Sequence, residues 1–144
     1  MKTLQGRFTP TKPDKYIGDV ISIYYRSSWE LRFMKWLDRT DSIIKWASEE
    51  HIVPYISPID NKRHRYFLDF YMKVKNVNCV EEDYLVEIKP KKQTKQPITP
   101  KKPTKTFLNE IVTWEINSAK WKAAHEHCEK SKMKFIILTE DDLF

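Results

Sequence analysis

Three charged side chains between residues 63 and 89 have types and a spacing that suit metal-assisted hydrolysis. Asp69 ends one apolar run, and Glu87 and Lys89 end the next one, separated by Ile88. Because residues two apart in a strand share a face, we expect Glu87 and Lys89 to project together while Ile88 turns into the core. If the strand that carries Asp69 lies alongside, the two carboxylates can bind one divalent cation, with the Lys89 ammonium at its rim.

Each of these residues also has an ordinary structural explanation. A carboxylate among apolar neighbours must be paired or bound when it is buried, and a salt bridge from Asp69 to Arg65 would meet that need. Glu87 and Lys89 could form a surface ion pair, which is the commonest role for such a spacing. The combination of Asp69 with Glu87 favours the metal site over both alternatives.

A helix signal precedes the strands. Ser27 and Glu30 fit the S-x-x-E capping box, so a helix is expected from there to about Asp38. The capping box explains Glu30 without any catalytic role, but the helix would also present this carboxylate as a third acid. The apolar face of the helix is expected to comprise Trp29, Phe33, Trp36 and Leu37.

Strand patterns then dominate as far as Lys89. Pro54 and Pro58 interrupt a β-branched and aromatic stretch, which predicts an edge or irregular strand. Turn residues separate it from two further strands, so a three-stranded meander is expected. The expected strands cover residues 51–56, 66–74 and 84–89, with turns at 60–62 and 76–78.

A helix and a last strand complete the chain. The pattern predicts a helix from Phe107 to Lys132 and a strand, buried on both faces, from Lys134 to Thr139. A strand reached through a helix is expected to run parallel within the sheet, which predicts an α/β fold with a mixed central β-sheet flanked by helices. The helical residues expected to be buried are Ile111, Trp114, Ala119, Trp121 and Ala124.

The net charge of +6 is concentrated in one segment. Seven lysines and no acidic residue lie between Lys89 and Lys105, and four prolines there predict an exposed loop over residues 90–105. It could be a solvated linker, but a polycationic loop attracts phosphate backbones through counterion release, so DNA is the expected partner. The expected DNA-binding residues are Arg63, His64, Arg65, Lys91, Lys92, Gln93, Lys95, Lys101, Lys102, Lys105, Asn117 and Lys120. A solvated hairpin explains His64 equally well, and a polar helix face explains Asn117 and Lys120.

Composition excludes several other classes of protein. Two glycines among 144 residues cannot form a P-loop or a dinucleotide fingerprint, so no nucleotide cofactor is expected. The N-terminus has no apolar signal core and no run is long enough to cross a bilayer, so a protein of the cytoplasm without membrane contact is expected. The length fits a single domain, 1–144, in which residues 1–19 form an extended N-terminal arm.

The cysteines and the paired histidines do not predict a zinc site. Cys79 and Cys128 are too few for a disulfide framework and too far apart for a four-ligand zinc site, so both are expected to be reduced. On a helix, His125 and His127 point about 200° apart, so one ion cannot easily bind both. A partly exposed helical face is the expected role of this segment.

Four segments carry a family resemblance. Glu30, Asp69 and the tripeptide from Glu87 to Lys89 look like the PD-(D/E)xK nuclease pattern. More narrowly, the chain resembles the head completion nucleases of contractile-tailed phages, and its layout is similar to the endonuclease subunit of certain transposases. Leu68 stands where the superfamily pattern usually has proline. The segments concerned are Tyr25–Leu31, His64–Phe70, Glu87–Pro90 and Asn117–Trp121.

The resemblance implies a restriction-endonuclease-like core, a catalytic set of Glu30, Asp69, Glu87 and Lys89, and a place in phage head completion. Asp69 and Glu87 would hold Mg²⁺, for which Mn²⁺ could substitute, with the Ile88 carbonyl as a third ligand and Glu30 as a further candidate. Lys89 would orient or deprotonate the attacking water. Phage portal or neck proteins are candidate partners, and the host cytoplasm or the virion is the expected location. A non-catalytic DNA-binding protein of the phage head or neck that retains the fold is the alternative.

Overall fold

The computed structural model describes residues 4–144. It contains eight strands, two long helices and one short C-terminal helix, with a 3-10 turn at Pro13–Lys15 and another at Lys91–Thr94. In chain order these elements are β1 (Gly6–Arg7), β2 (Tyr24–Tyr25), α1 (Ser28–Arg39), β3 (Ile43–Ser48), β4 (Ile52–Ile56), β5 (Arg63–Phe67), β6 (Phe70–Lys75), β7 (Glu81–Ile88), α2 (Lys105–Ser131), β8 (Lys134–Leu138) and α3 (Glu140–Leu143).

The central sheet has the strand order β3-β6-β7-β8. The first two pairings are antiparallel, and β8, which α2 returns to the sheet, pairs with β7 in parallel. The predicted α/β fold with a mixed central sheet flanked by helices is confirmed. The prediction that β8 is buried on both faces is wrong, because β8 is the edge strand and its apolar residues are only partly buried.

The predicted three-stranded meander is wrong in one respect, because the predicted strand 66–74 is two strands in two different sheets. β5 pairs with β4 in a separate hairpin, whereas β6 pairs with β3 and β7. The chain changes sheets at Leu68 and Asp69, and the stretch before β4 changes sheets at Glu49 to His51. Leu68 is fully buried at this corner, and its N–H donates to the His51 carbonyl at 3.0 Å.

Two apolar cores lie on opposite faces of the sheet. The α1 face packs α1 against Phe70, Met72 and Val86, while the α2 face buries Leu68 and Leu85 against α2 and the β4–β5 hairpin. The helix predicted after Ser27 is confirmed. Its apolar face differs from the expected one, because Met34 is fully buried, whereas Trp36 is 37% exposed.

The buried positions of α2 all lie at or after Asn117, namely Asn117, Ala124 and Cys128. Of the residues predicted to be buried on this helix, Ala124 alone is fully so, since Ile111, Trp114, Ala119 and Trp121 are partly exposed. The reason is that α2 packs on β4 and β8 and leaves its first turns beyond the sheet. Within residues 4–144, no helix combines the length and the apolar character needed to cross a bilayer.

The predicted N-terminal arm lies along the body from residue 4 onwards. Phe8 and Tyr16 are buried, and both rings contact Trp46 edge to face. Residues 1–3 of the predicted arm lie outside the described part of the chain. Residues 95–104 contain neither helix nor strand, and the lysines of this loop are exposed.

Candidate active site

The chain corner between β5 and β6 places Asp69 beside β7. Phe70 pairs with Val86, so extending this antiparallel register by one residue sets Asp69 opposite Glu87. The backbone N–H of Ile88 donates to Asp69 Oδ2 at 2.8 Å, and the Asp69 and Glu87 carboxyl groups are close enough to shift each other's pKa. The two acids that were predicted to meet therefore do meet.

Burial makes this pair costly to ionise fully. Glu87 is 6% exposed, and burial followed by the charge of Asp69 raises the pKa of Glu87 to about 8. Burial also raises the pKa of Asp69, against the hydrogen bond from Ile88 that favours its charged form. Two carboxyl groups in this situation require either a shared proton or a cation.

Tyr66 completes the support of the pair. This β5 residue is buried, and its hydroxyl donates a hydrogen bond to Glu87 Oε2. The Lys120 ammonium lies 5.4 Å from the centre of the Tyr66 ring, so α2 reaches the same region. Tyr66 was not predicted as a site residue, because its contact with Glu87 depends on how the β4–β5 hairpin folds over the sheet.

Lys89 lies beside Glu87, just beyond the end of β7. Its Nζ is 3.9 Å from Glu87 Oε1, and its backbone N–H donates to the Leu138 carbonyl at 3.0 Å, which fixes the end of the strand against β8. A surface ion pair does not describe this contact, because Glu87 is buried. The alternative partner for Asp69, Arg65, instead lies over the ring of Phe67.

Glu30 faces the pair from the first turn of α1. Ser27 Oγ accepts the Glu30 N–H at 3.2 Å, which is half of a capping box. The other half is absent, because Glu30 Oε1 accepts the Arg26 N–H at 3.4 Å. Burial, followed by the negative charge of Asp69, raises the pKa of Glu30 to about 7. Capping therefore accounts for the Glu30 backbone and leaves its carboxylate available to the site.

Glu49 is an acidic neighbour of the site that the sequence did not indicate. It follows β3 in a left-handed conformation, with φ 55°, and its N–H donates to the Asp69 carbonyl at 3.1 Å. Its carboxylate binds Arg26 at 3.1 Å. The positive φ lets β3 leave the central sheet where β6 begins, so Glu49 supports the corner that carries Asp69.

The donor set suits a hard cation held by few protein ligands. Within residues 4–144, no group of three or more His, Cys, Asp or Glu side chains is placed to hold one metal ion, so Glu30 does not complete a three-ligand set with Asp69 and Glu87. Two carboxylates with water in the remaining positions are the usual protein environment of Mg²⁺. Two facing carboxyls, one of which is buried, fit a cation here, since a bound cation removes the repulsion between them.

The residues predicted to bind DNA are in different environments. Arg63, His64 and Arg65 are exposed on β5, although His64 binds Asp60 at 2.8 Å. Lys91 binds Asp141 at 2.9 Å. Lys120 lies near Tyr66, whereas Asn117 is buried. The remaining residues of this set are exposed to solvent, namely Lys92, Gln93, Lys95, Lys101, Lys102 and Lys105.

Comparison with known proteins agrees with this geometry. Residues 40–140 match the family described as TnsA-like endonuclease, N terminal, which is well over half of the chain. The chain belongs to the TnsA-like endonuclease family. The family segment contains Asp69, Glu87 and Lys89 and begins after Glu30.

A whole-length relative of this TnsA-like endonuclease is also known. The head completion nuclease of Enterobacteria phage T4 is 44% identical over 142 residues, covering 96% of this chain and 92% of that protein. Both predicted resemblances, to head completion nucleases and to transposon endonucleases, are confirmed. The predicted class, a nuclease with a restriction-endonuclease-like α/β core, is confirmed with them.

Proposed function

We propose that this endonuclease is a Mg²⁺-dependent deoxyribonuclease of the PD-(D/E)xK type, formed by a single domain, that acts on DNA during phage head completion. The observation that carries the proposal is the position of Asp69 opposite the buried Glu87, with the Ile88 N–H on Asp69 and the Lys89 ammonium 3.9 Å from Glu87. Head completion is the printed role of the T4 relative, and its identity to nearly the whole chain supports the same stage of assembly here.

Asp69 and Glu87 would hold the cation, with the carbonyl of Ile88 as a further ligand. A bound Mg²⁺ would supply a nucleophilic hydroxide at neutral pH and stabilise charge on the phosphoryl oxygens. The hydrogen bonds from Ile88 N–H and Tyr66 Oη fix one oxygen of each carboxylate, Asp69 Oδ2 and Glu87 Oε2, and Glu87 Oε1 lies on the side of Lys89. A site held in this way needs little rearrangement to react.

Lys89 and Glu30 act on the substrate and its proton. The Lys89 Nζ lies 3.9 Å from Glu87 Oε1, and its ammonium would lie against the negative charge that develops on the scissile phosphate. Glu30 has a pKa raised to about 7, which suits a carboxylate that accepts a proton from the attacking water or positions that water.

The DNA backbone would be bound by the exposed cations around this site. The Lys-rich loop begins directly after Lys89, and its free lysines can follow phosphates without reading bases. Arg63 and Arg65 extend the basic surface along β5. Portal or neck proteins of the phage are proposed as the partners that bring this surface to the packaged DNA end.

The test is cleavage of linear and circular duplex DNA by the purified protein in Mg²⁺, in Mn²⁺ and in EDTA. Asp69→Asn, Glu87→Gln and Lys89→Ala should each reduce kcat by at least about 100-fold, because each removes charge at the reacting phosphate. Glu81→Gln, at the exposed start of β7, is the matched control and should cleave like wild type. If Glu87→Gln and Glu81→Gln cleave equally, the assignment is wrong. If wild type binds DNA but cleaves it under no condition, the protein is the non-catalytic DNA-binding alternative.

A further inference from the structure

Two histidines outside the acidic pair face each other where α2 meets the root of the β4–β5 hairpin. His51 lies just before β4, and His127 lies near the end of α2. Their Nε2 atoms are 3.2 Å apart, and both residues are partly buried. The sequence predicts only a partly exposed helical face for His127 and no role for His51.

The separation of the two nitrogens is the one that a tetrahedral metal ion imposes. Zinc bound to imidazole nitrogen at 2.0–2.1 Å in tetrahedral geometry holds two such nitrogens about 3.3 Å apart. The rings meet edge to face, with centroids 5.3 Å apart, so both Nε2 atoms point into the same small volume. In the metal-free protein, one Nε2–H donates to the other Nε2, and metal binding requires that proton to move to Nδ1.

The surroundings hold the His51 ring in this orientation. His51 stacks on Tyr71, with the rings 20° from parallel, and the Tyr71 hydroxyl donates to Asp83. Burial, followed by the neighbouring His127, lowers the pKa of His51, so its lone pair is available at neutral pH. A fixed imidazole with an available lone pair, such as that of His51, is a ligand that transition metals prefer.

We propose that His51 and His127 form a second metal site, which binds a transition-metal dication of the zinc class with water in the remaining positions. Imidazole nitrogen selects zinc, nickel or copper, whereas magnesium prefers oxygen ligands, so the ion differs from the one proposed at the acidic pair. Neighbouring groups do not join the site, because His125 binds Glu129 at 3.1 Å and Cys128 is buried in the core with Ala124.

An ion at this site would join α2 to the chain corner that carries Asp69. The His51 carbonyl accepts the N–H of Leu68, which directly precedes Asp69. A metal bound by both His51 and His127 would therefore link the start of β4 to α2 and stabilise the chain corner at Leu68 and Asp69. The role is structural, and the proposal does not depend on the nuclease function.

The experiment measures zinc binding to the full-length, EDTA-treated protein by isothermal titration calorimetry, and Co²⁺ binding by its visible absorption. Every protein carries Glu87→Gln, which removes one carboxylate of the acidic pair, and millimolar Mg²⁺ is present throughout. We expect one zinc per chain in this background, and His127→Gln should bind zinc at least about tenfold more weakly. His125→Gln, on the same helix, is the matched control and should bind as the parent does.

Three outcomes would overturn the proposal. Zinc binding that is equally strong in His127→Gln and His125→Gln would place the ion elsewhere, and so would a Co²⁺ spectrum without nitrogen ligation. The absence of zinc binding to the parent would also overturn it. His51→Gln provides a second variant, and circular dichroism in EDTA identifies any variant that has lost its fold. A folded His51→Gln protein that keeps zinc affinity contradicts the site as firmly as His127→Gln would.

Discussion

Replacing Glu87 by Gln should abolish cleavage and yet stabilise the metal-free protein, by an amount that grows with pH. In the folded chain, burial and Asp69 raise the pKa of Glu87 from its ordinary 4.5 to about 8. An acid whose pKa is raised by folding contributes stability that is fully present below about 4.5 and is lost as the pH rises through about 8. Gln cannot ionise, so the variant does not suffer this loss.

The size of the effect follows from the shift in pKa. A change of about 3.5 units at roughly 1.4 kcal/mol per unit sets an upper limit of about 5 kcal/mol at pH 9. Structural relaxation reduces this value, and we expect the free energy of unfolding of Glu87→Gln to exceed that of wild type by about 2 kcal/mol or more at pH 9. For a chain of this length, that difference raises the Tm by roughly 4 °C or more.

The assay is thermal unfolding by circular dichroism in EDTA at pH 5, 7 and 9. The Tm of Glu87→Gln minus that of wild type should be small at pH 5 and should increase towards pH 9, while Glu81→Gln should follow wild type at each pH. At pH 9, Mg²⁺ should make the Tm of wild type the higher of the two. The ion stabilises wild type by binding to both carboxylates, whereas the variant lacks one of these ligands. A difference in Tm that does not change with pH, or a variant less stable than wild type at pH 9 in EDTA, would refute the account of a mutually repelling pair.

Three further predictions follow from the same geometry. Tyr66→Phe removes the hydrogen bond to Glu87, so kcat should decrease severalfold. The free energy of unfolding, measured in urea, should decrease by about 1–2 kcal/mol. If neither value changes, the Tyr66 hydroxyl does not support Glu87. Because the pKa of Glu30 is raised to about 7, kcat of wild type should rise with pH through about 7. The kcat of Glu30→Gln should be lower and should not change with pH over this range. If the variant retains the rise, the titrating group is a different one. The double variant Lys101→Ala with Lys102→Ala should bind DNA more weakly, and the slope of log K against log salt concentration, measured by fluorescence anisotropy, should decrease by nearly 2. Lys91→Ala should change this slope less, because the Lys91 side chain binds Asp141. If the double variant has the same slope as wild type, the loop does not bind DNA.

Local signals in the sequence were sufficient for several features. Ser27 predicted the start of α1 because an N-cap depends on neighbours within one turn. Alternation along β7 predicted that Glu87 and Lys89 lie on one side, and the register with β6 then brought in Asp69. These features depend on contacts that are close in sequence or on a single strand pairing, which is why they could be derived without a structure.

Long-range packing determined what the sequence could not show. Nothing in the apolar run from Tyr66 to Val74 indicates that the chain changes sheets at Leu68, because both halves are equally compatible with a strand. The positions of Tyr66, Glu49 and His51 in the structure all depend on the point at which the chain passes from one sheet to the other. Each of them contacts a residue distant in sequence, and a charged or aromatic residue by itself does not reveal its partner.

The most direct measurement of the central claim is the anomalous diffraction of crystals of the full chain soaked in Mn²⁺. The account predicts a peak between the carboxylates of Asp69 and Glu87, within about 2.3 Å of an oxygen of each and with the Lys89 ammonium beside it. The peak should be absent from crystals of Asp69→Asn. A manganese peak that contacts neither carboxylate, or one that persists unchanged in Asp69→Asn, would contradict the assignment of this pair as the metal-binding centre of the nuclease.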